Sequence, residues 1–208
     1  MQDTPVYKTT YNAHVAVDQG YAVKMSAIGG EHDMGVDENG RPMFSFAQNM
    51  QVTTYMIAIV VGDLETKKLG DRVNVITEPG MIDEVSNQLM DLGSYLDKTE
   101  KYLTPYVWGD YNILILPTAM PNNIAGMENP LLTIAAPEMV TGATVTVTLH
   151  EMIHSWFGNL LTCKSWEDFW LNESFTVFTE RKMTQKMFGK TAAKMEAFSG
   201  NAYLQNDL

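Results

Sequence analysis

The sequence has one cysteine, few basic residues and no long hydrophobic run. Its 208 residues include 14 lysines and arginines against 25 aspartates and glutamates, which gives a net charge of −11. A field of this sign repels phosphate backbones, and the basic residues form no patch large enough to offset it, so we expect no nucleic-acid partner. The single cysteine, Cys163, excludes an internal disulfide and favours a reducing compartment, so we expect a cytoplasmic protein.

Targeting and membrane signals are also missing from the pattern. Residues 1–5 lack the basic start and following apolar run of a signal peptide. The longest apolar stretch, residues 56–61, is far shorter than the roughly 20 residues that a bilayer span requires. We therefore expect no membrane span. The sequence carries no indication of an oligomeric state.

The first third of the chain has the pattern of strands, and the remainder mixes strands with helices. Residues 7–17 alternate in side-chain type as in a half-buried strand, and residues 55–61 are continuously apolar, as in a strand covered on both faces. The composition then turns polar, and behind this stretch the apolar residues of 82–96 recur at the spacing of one long helix. We therefore predict an α+β fold with a β-rich domain over residues 1–66 and a mixed domain over residues 67–208.

The segment His150-Glu151-Met152-Ile153-His154 has the pattern of a zinc site. Residues four apart on a helix differ by about 40° around the axis and about 6 Å along it, so both imidazoles project from one face and can bind one ion. Glu151 lies about 100° further round and can reach a bound water as a general base. The preceding run, residues 144–148, favours a strand because it alternates threonine and valine.

Two histidines alone do not make a catalytic zinc site, which usually takes three protein ligands and leaves one position for water. Glu173, with eighteen residues between it and His154, is the candidate third ligand. The interval fits a loop over residues 158–165 and a second, antiparallel helix that starts near Trp166. Glu180 lies seven residues beyond Glu173, on the same helix face, and could orient a ligand histidine.

Each of these patterns also has a plainer interpretation. An H-E-x-x-H sequence arises by chance in long helices, although the Asn172-Glu173 pair at the required interval makes coincidence a poor account of it.

The segment Ala125-Gly126-Met127-Glu128 is by itself an ordinary turn. Shortly before a zinc helix it becomes a candidate substrate site, because a glycine lets the backbone approach a ligand and a carboxylate can bind an amine. Cys163 lacks a partner that would activate it as a nucleophile.

These motifs together resemble the gluzincin family of zinc aminopeptidases. The residues that carry the resemblance are Gly126-Met127-Glu128-Asn129, His150-Glu151-x-x-His154, Asn172-Glu173 and the surrounding segments 155–160 and 166–171. The features that resemble the leukotriene hydrolase and aminopeptidase B branch are Pro130 and the segments 2–5, 58–62 and 105–109. The resemblance runs nearly end to end. It implies the C-terminal part of an all-β N-terminal domain, followed by the first part of a thermolysin-like zinc metallopeptidase domain.

The resemblance also implies a metal and a reaction. His150, His154 and Glu173 would bind one zinc ion per chain. Glu151 would act as the base that polarises the zinc-bound water for attack on the scissile carbonyl. The implied activity is the removal of amino-terminal residues from peptides.

On the substrate side, the resemblance implies four residues. Glu128 would bind the free α-amino group of the peptide, and Gln2 matches a glutamine that lies near this amine pocket in the branch. Gly126 and Met127 would line the peptide backbone. Fixing the amine places the first peptide bond at the metal, which makes the enzyme specific for peptide substrates with a free N-terminus.

The chain departs from the family pattern at three places. Ile124-Ala125 replaces the usual Tyr-Gly, so the preferred side chain does not carry over, and Ser174 replaces a glycine after the third ligand. The family's pattern places its transition-state tyrosine at a position beyond Leu208, so we expect a fragment of a longer enzyme. Two other functions stay open at this stage. One is a truncated chain that binds zinc and peptide with little or no turnover, and the other is lipid-epoxide hydrolysis.

Overall fold

The structure is a computed structural model that describes residues 2–31, 34–121, 124–140 and 145–207. Within these residues the strands are β1 (Lys8–Ala16), β2 (Ala22–Met25), β3 (Ile28–Gly29), β4 (Met43–Thr53), β5 (Ile59–Gly62), β6 (Glu65–Lys68), β7 (Val73–Thr77), β8 (Tyr111–Ile115), β9 (Gly126–Met127) and β10 (Thr133–Ala135). The helices are α1 (Ile82–Gln88), α2 (Leu92–Tyr102), α3 (Val145–Ile153) and α4 (Trp170–Asp207). Short 3-10 helices span Thr54–Met56, Pro137–Val140 and Trp166–Asp168. This mixture of strands and helices agrees with the expected α+β class.

The chain up to Gly62 forms two small antiparallel sheets. Strand β4 lies between β1 and β3 in one sheet, and β2 pairs with β5 in the other. The alternating strand predicted over residues 7–17 is observed as β1. Its inward-facing apolar side chains pack against Phe44 and Phe46, which anchor a hydrophobic cluster of this part of the chain.

Two details of the sequence-based assignment are wrong. The continuous strand expected over residues 55–61 is a 3-10 turn followed by β5, and Ile59 is 52% exposed, so this strand is not covered on both faces. It belongs to a two-stranded sheet, and only its other side, which includes Val60, packs against the next sheet. The single helix expected over residues 82–96 is two helices, separated by a tight turn in which the Leu92 N–H donates to the Leu89 carbonyl.

The third and largest sheet has the strand order β6-β7-β8-β10-β9 and is covered on both faces. Its three central strands are parallel, and the edge strands β6 and β9 run antiparallel to their neighbours. One face packs against helices α1 to α3, whereas Ile76, Leu114 and Leu132 on the other face contact the segment around Val60. Burial on both faces agrees with the mainly apolar composition of the central strands, whose polar members include Asn74 and Asn112. Strand β6 pairs with β7 along its whole length, so the change of sheet lies between Gly62 and Glu65.

Helix α3 forms from a sequence that favours a strand by propensity. The described part of the threonine–valine run is helical from Val145 onwards, and Thr144 lies outside the described residues. Leu149, Met152 and Ile153 of this helix are fully buried. Tertiary packing therefore overrides the local preference of the β-branched residues, because an amphipathic helix gains most of its stability from the face that it buries.

Helix α4 packs beside α3. It is interrupted at Gly189, whose φ of 88° lies in the left-handed region. The two halves contact each other through a hydrogen bond of 3.1 Å from the Thr184 hydroxyl to Glu196. No helix in the described part of the chain is both long enough and apolar enough to cross a bilayer.

Helix α4 should contribute measurably to stability through Met183, which is 0% exposed, whereas Met90 is 66% exposed. We expect Met183→Ala to lower the free energy of unfolding by about 2–5 kcal/mol, because it removes buried methylenes and leaves a cavity. The matched change Met90→Ala should alter it by less than about 0.5 kcal/mol. Equilibrium denaturation in guanidinium measures both values. Equal effects of the two changes would contradict the packing of α4 described here.

Candidate metal centre

Two histidines and a glutamate converge where α3 meets α4. His150 lies in the last turn of α3, and His154 follows the helix directly, with its N–H still bonded to the His150 carbonyl at 3.2 Å. The two Nε2 atoms are 3.0 Å apart. Glu173, in the first turn of α4, places its Oε2 3.4 Å from the His150 Nε2 and 3.5 Å from the His154 Nε2. The structure thus brings the three expected ligands to one point.

The outer nitrogen of each imidazole faces an acceptor. His150 Nδ1 lies 2.9 Å from the Glu180 carboxylate, and His154 Nδ1 lies 2.8 Å from the Phe157 carbonyl. A ring whose Nδ1 donates its proton leaves the Nε2 lone pair free, which is the tautomer that binds a metal. Two lone pairs that face each other at 3.0 Å repel. This arrangement is therefore stable only when a proton or a metal cation lies between the two nitrogens.

The spacing of the three atoms fits a zinc ion. Zinc bonds of about 2.0–2.2 Å to nitrogen and oxygen, at tetrahedral angles, place neighbouring ligand atoms roughly 3.3 Å apart. The separations of 3.0, 3.4 and 3.5 Å lie close to that value. Two imidazoles and one carboxylate are also a ligand set that suits zinc and leaves one tetrahedral position for water or substrate.

The electrostatics of the site favour a cation as well. Burial lowers the pKa of His150, but hydrogen bonds to Glu173 and Glu180 outweigh it and raise the pKa to about 10. Burial raises the pKa of Glu173, but hydrogen bonds to the two histidines and their charges outweigh this effect and lower the pKa to about 2. The carboxylates therefore stabilise positive charge at the imidazoles, and a metal ion at the same point satisfies the same carboxylates.

A glycine allows the chain to turn away after the second histidine. Gly158 has a φ of 114°, and its N–H donates to the Leu161 carbonyl at 2.7 Å. A Cβ atom at this position would lie 3.1 Å from the Nδ1 of His154. A side chain here would therefore strain the backbone and press on the imidazole that the Phe157 carbonyl orients.

Glu151 is buried against the edge strand β9. Burial, with a further contribution from the nearby Glu128, raises the pKa of Glu151 to about 7. A carboxyl group with this pKa exchanges protons near neutral pH, as a general base must. A Cβ atom on Gly126 would lie 2.6 Å from the Glu151 Oε1, so the carboxylate occupies the space that any larger residue at 126 would need.

Glu128 is buried beside Glu151 and His154. Carboxylate atoms of Glu128 and Glu151 and a ring nitrogen of His154 all lie within 4.8 Å of one another. Gly126 and Met127 form β9, which is the last strand of the sheet and, among the residues that the structure describes, pairs only on the β10 side. An edge strand presents free backbone groups to which an extended peptide can bind.

The last expected residue is Gln2, at the start of the described chain. Its side chain is exposed, and its backbone carbonyl accepts a hydrogen bond from the Thr54 hydroxyl. The adjacent Asp3 carbonyl accepts a hydrogen bond of 3.0 Å from the indole of Trp166. The structure therefore places the start of the chain beside the turn that leads into α4, and it fixes Gln2 there through the backbone.

Three residues near the site did not emerge from the sequence. The Thr176 hydroxyl lies 3.2 Å from the His154 Nδ1. Thr176 follows Glu173 by three residues, so helical spacing places both on the same face of α4 and could have indicated it. Asn159 bonds to the backbone of Glu128. Tyr55 packs on Trp166 with ring centroids 4.8 Å apart, and burial, opposed by Thr53 and reinforced by Glu128, raises its pKa to about 12. Neither Asn159 nor Tyr55 carries a local sequence signal for these contacts.

Comparisons with known proteins identify relatives along the whole chain. The family model described as the Peptidase family M1 domain matches residues 90–207. Leukotriene A-4 hydrolase of Xenopus laevis is 39% identical over 210 residues, which cover 100% of this chain and 34% of the relative. Aminopeptidase B of Rattus norvegicus is 37% identical over 209 residues, covering 99% of this chain and 31% of the relative. The chain thus spans about a third of the length of the curated relatives that it matches.

Solved structures agree with the sequence relatives. Yeast LTA4 hydrolase in complex with bestatin superposes with a TM-score of 0.87 at 34% identity, over 98% of this chain and 31% of that chain. An M1 zinc metallopeptidase of Deinococcus radiodurans, a mutant bound to a Tyr-Ser-Ala substrate, has a TM-score of 0.77 at 23% identity, over 97% of this chain and 46% of that chain, and shows the shared fold. The expected family is confirmed, and the relatives include both enzymes of the expected branch.

The contact between Gly126 and Glu151 leads to a test of the site's packing. We expect Gly126→Ala to lower the free energy of unfolding by about 1–3 kcal/mol, because the new methyl group overlaps the Glu151 carboxylate. The penalty should shrink in a Glu151→Ala background, which removes the overlapping atoms. Gly80→Ala is the matched control, since a Cβ there meets no atom within 4 Å. Denaturant unfolding of the wild type, the two single variants at Gly126 and Glu151 and the double variant forms the cycle, and a penalty independent of Glu151 would contradict the assigned contact.

Proposed function

Since the chain belongs to peptidase family M1, we propose that it carries the metal and amine sites of a zinc aminopeptidase that hydrolyses the N-terminal peptide bond of peptides. The observation that carries this proposal is the convergence of His150, His154 and Glu173, with Glu151 and Glu128 beside them. The solved relatives described as M1 zinc metallopeptidases support the choice of metal.

In this proposal His150, His154 and Glu173 hold one zinc ion per chain. When bound, zinc supplies a Lewis acid that polarises the scissile carbonyl and lowers the pKa of a water molecule. Glu180 holds the His150 ring in its metal-binding orientation through the 2.9 Å contact at Nδ1. The Phe157 carbonyl does the same for the His154 ring.

The remaining residues position the peptide and move protons. Glu128 binds the α-amino group through a charge-assisted hydrogen bond. Gln2 is the second residue proposed to bind this amine. Gly126 and Met127 bind the peptide backbone along the free edge of β9. Glu151 accepts a proton from the attacking water and returns it to the leaving amine.

The same proposal includes the domain organisation and the setting of the protein. The strands up to Gly62 would be part of an all-β N-terminal domain, and the sheet from Glu65 onwards would begin a thermolysin-like domain, which moves the boundary slightly ahead of residues 66/67. The substrates would be peptides with a free N-terminus. The free, buried Cys163 supports a reducing, cytoplasmic location.

A second candidate function is binding of zinc and peptide without turnover. The observation behind it is that the clustered histidines and carboxylates could bind a metal and an amine whether or not a reaction follows. The two functions share the metal and amine sites and differ only in whether Glu151 completes a reaction. They therefore predict the same zinc content and different activities.

Zinc content tests the metal site. Metal analysis of the purified chain should give one zinc per chain, and His154→Ala should abolish binding because it removes a buried ligand. Glu180→Gln should weaken zinc affinity about 10- to 100-fold, because it removes the charged partner of the His150 ring. Glu167→Gln, an exposed change close to α4, is the matched control and should leave the affinity unchanged. Unaltered zinc content in His154→Ala would refute the ligand assignment.

Hydrolysis of an aminoacyl 4-nitroanilide tests the reaction. The zinc-loaded chain should release 4-nitroaniline, and Glu151→Gln should reduce kcat by at least about 100-fold while zinc content stays at one per chain, because the amide cannot accept a proton. Turnover that survives this change would exclude Glu151 as the base. A wild-type chain that binds zinc without any hydrolysis would favour the second candidate function.

A further inference from the structure

Asn159 joins the two halves of the candidate site. Its side-chain amide donates a hydrogen bond of 2.8 Å to the backbone carbonyl of Glu128, 31 positions earlier in the sequence. Its own backbone N–H donates to the carbonyl of His154 at 3.1 Å. One residue therefore bonds both to the backbone of the amine-binding carboxylate and to that of a metal ligand. It is 4% exposed, so both bonds lie in the protein interior.

Lys8 reaches the same point from the first β-sheet. Its ammonium group donates to the Asn159 carbonyl at 2.9 Å and to the Leu160 carbonyl at 3.2 Å. The lysine lies 151 residues before Asn159 in sequence and starts strand β1. A charged donor shared by two adjacent carbonyls restrains that backbone segment more strongly than neutral hydrogen bonds would.

We infer that Asn159 is a positioning residue that sets the distance between the amine-binding Glu128 and the metal ligands, and that Lys8 of the β-rich part locks Asn159 in place. This inference rests on the proposed function, because it assumes that Glu128 binds a substrate amine and that zinc binds beside it. The distance between those two anchors decides which peptide bond reaches the metal. A substrate held at both ends is sensitive to small errors in that distance, since a displacement of about 1 Å can cost roughly 100-fold in rate.

The consequence is a selective defect rather than a general one. If the Asn159 amide is removed, the Glu128 carbonyl loses its buried donor and the loop that carries Glu128 is free to shift. The metal ligands keep their own partners, Glu180 and the Phe157 carbonyl, so zinc binding is preserved. Recognition of the free amine should therefore weaken while the chemistry of the metal stays intact.

The experiment compares two zinc-binding probes on the zinc-loaded 208-residue chain, leucine hydroxamate and its N-acetyl derivative. Both bind the metal through the hydroxamate, and only the first offers a free amine to Glu128. Calorimetry should give the wild-type chain a preference for the free amine on the order of 10- to 100-fold, the value of a charge-assisted contact. Asn159→Ala should reduce that preference about tenfold or more, with zinc content and affinity for the acetylated probe unchanged.

Lys8→Met provides a milder variant that keeps the aliphatic stem and leaves the interior of the site untouched. It should reduce the preference in the same direction, by about threefold, because it releases the backbone that Asn159 depends on. The matched control is Lys24→Met, a lysine of strand β2 with similar partial burial and no role in the site. In a Glu128→Ala background, Asn159→Ala should have no further effect on the preference.

The outcomes separate the inference from the function on which it rests. An undiminished preference in both Asn159→Ala and Lys8→Met would overturn the inference while leaving the aminopeptidase proposal standing. An equal loss of affinity for both probes would also overturn it, because that result would indicate general damage to the site. A wild-type chain that binds neither probe, or binds both equally, would overturn the proposed function itself and, with it, this inference.

Discussion

The 3.0 Å contact between the Nε2 atoms of His150 and His154 is the constraint on which the rest of the structure depends. Two unprotonated nitrogens at that distance would repel, so the contact requires a proton or a metal ion between the rings, and the fold has to hold the rings in place and supply the negative charge that stabilises this cation. Burial of α3 provides the first requirement, through side chains such as Leu149 that are fully enclosed. Helix α4 provides the second, because Glu173 and Glu180 approach the rings from one face of that helix.

Three glutamates around this contact occupy three different environments. Glu173 interacts with both imidazoles, which lower its pKa to about 2 and keep it charged. Glu151 is buried next to another carboxylate, and its pKa rises to about 7. Glu128 is buried as well, with its carboxylate within 4.8 Å of atoms of Glu151 and His154, and its backbone carbonyl accepts a hydrogen bond from Asn159. In the proposed function one residue type would serve as both ligand and base, because burial and nearby charges, and not residue identity, set the protonation of Glu173 and Glu151.

The sequence predicted those parts of the site that depend on local periodicity. Spacing within one helix identifies His150, Glu151 and His154. The same rule leads from Glu173 to Glu180, so the sequence was sufficient to identify all of them. The threonine–valine run before His150 shows the limit of local reasoning, because it forms a helix against its own propensity. What decides such cases is the packing of distant segments, which a single sequence does not reveal.

The parts that the sequence did not predict are contacts between distant segments, and they share a location. Lys8 bonds to Asn159, the Asp3 carbonyl accepts from Trp166, and the Asn129 amide donates to the Met56 carbonyl at 3.1 Å. All three join the β-rich part to the substrate side of the site. The metal ligands, in contrast, are oriented by groups on α4 and on the loop after α3. In the proposed function the helices would therefore hold the metal and the junction with the first sheets would place the substrate, so a change at that junction should alter what binds without altering the metal.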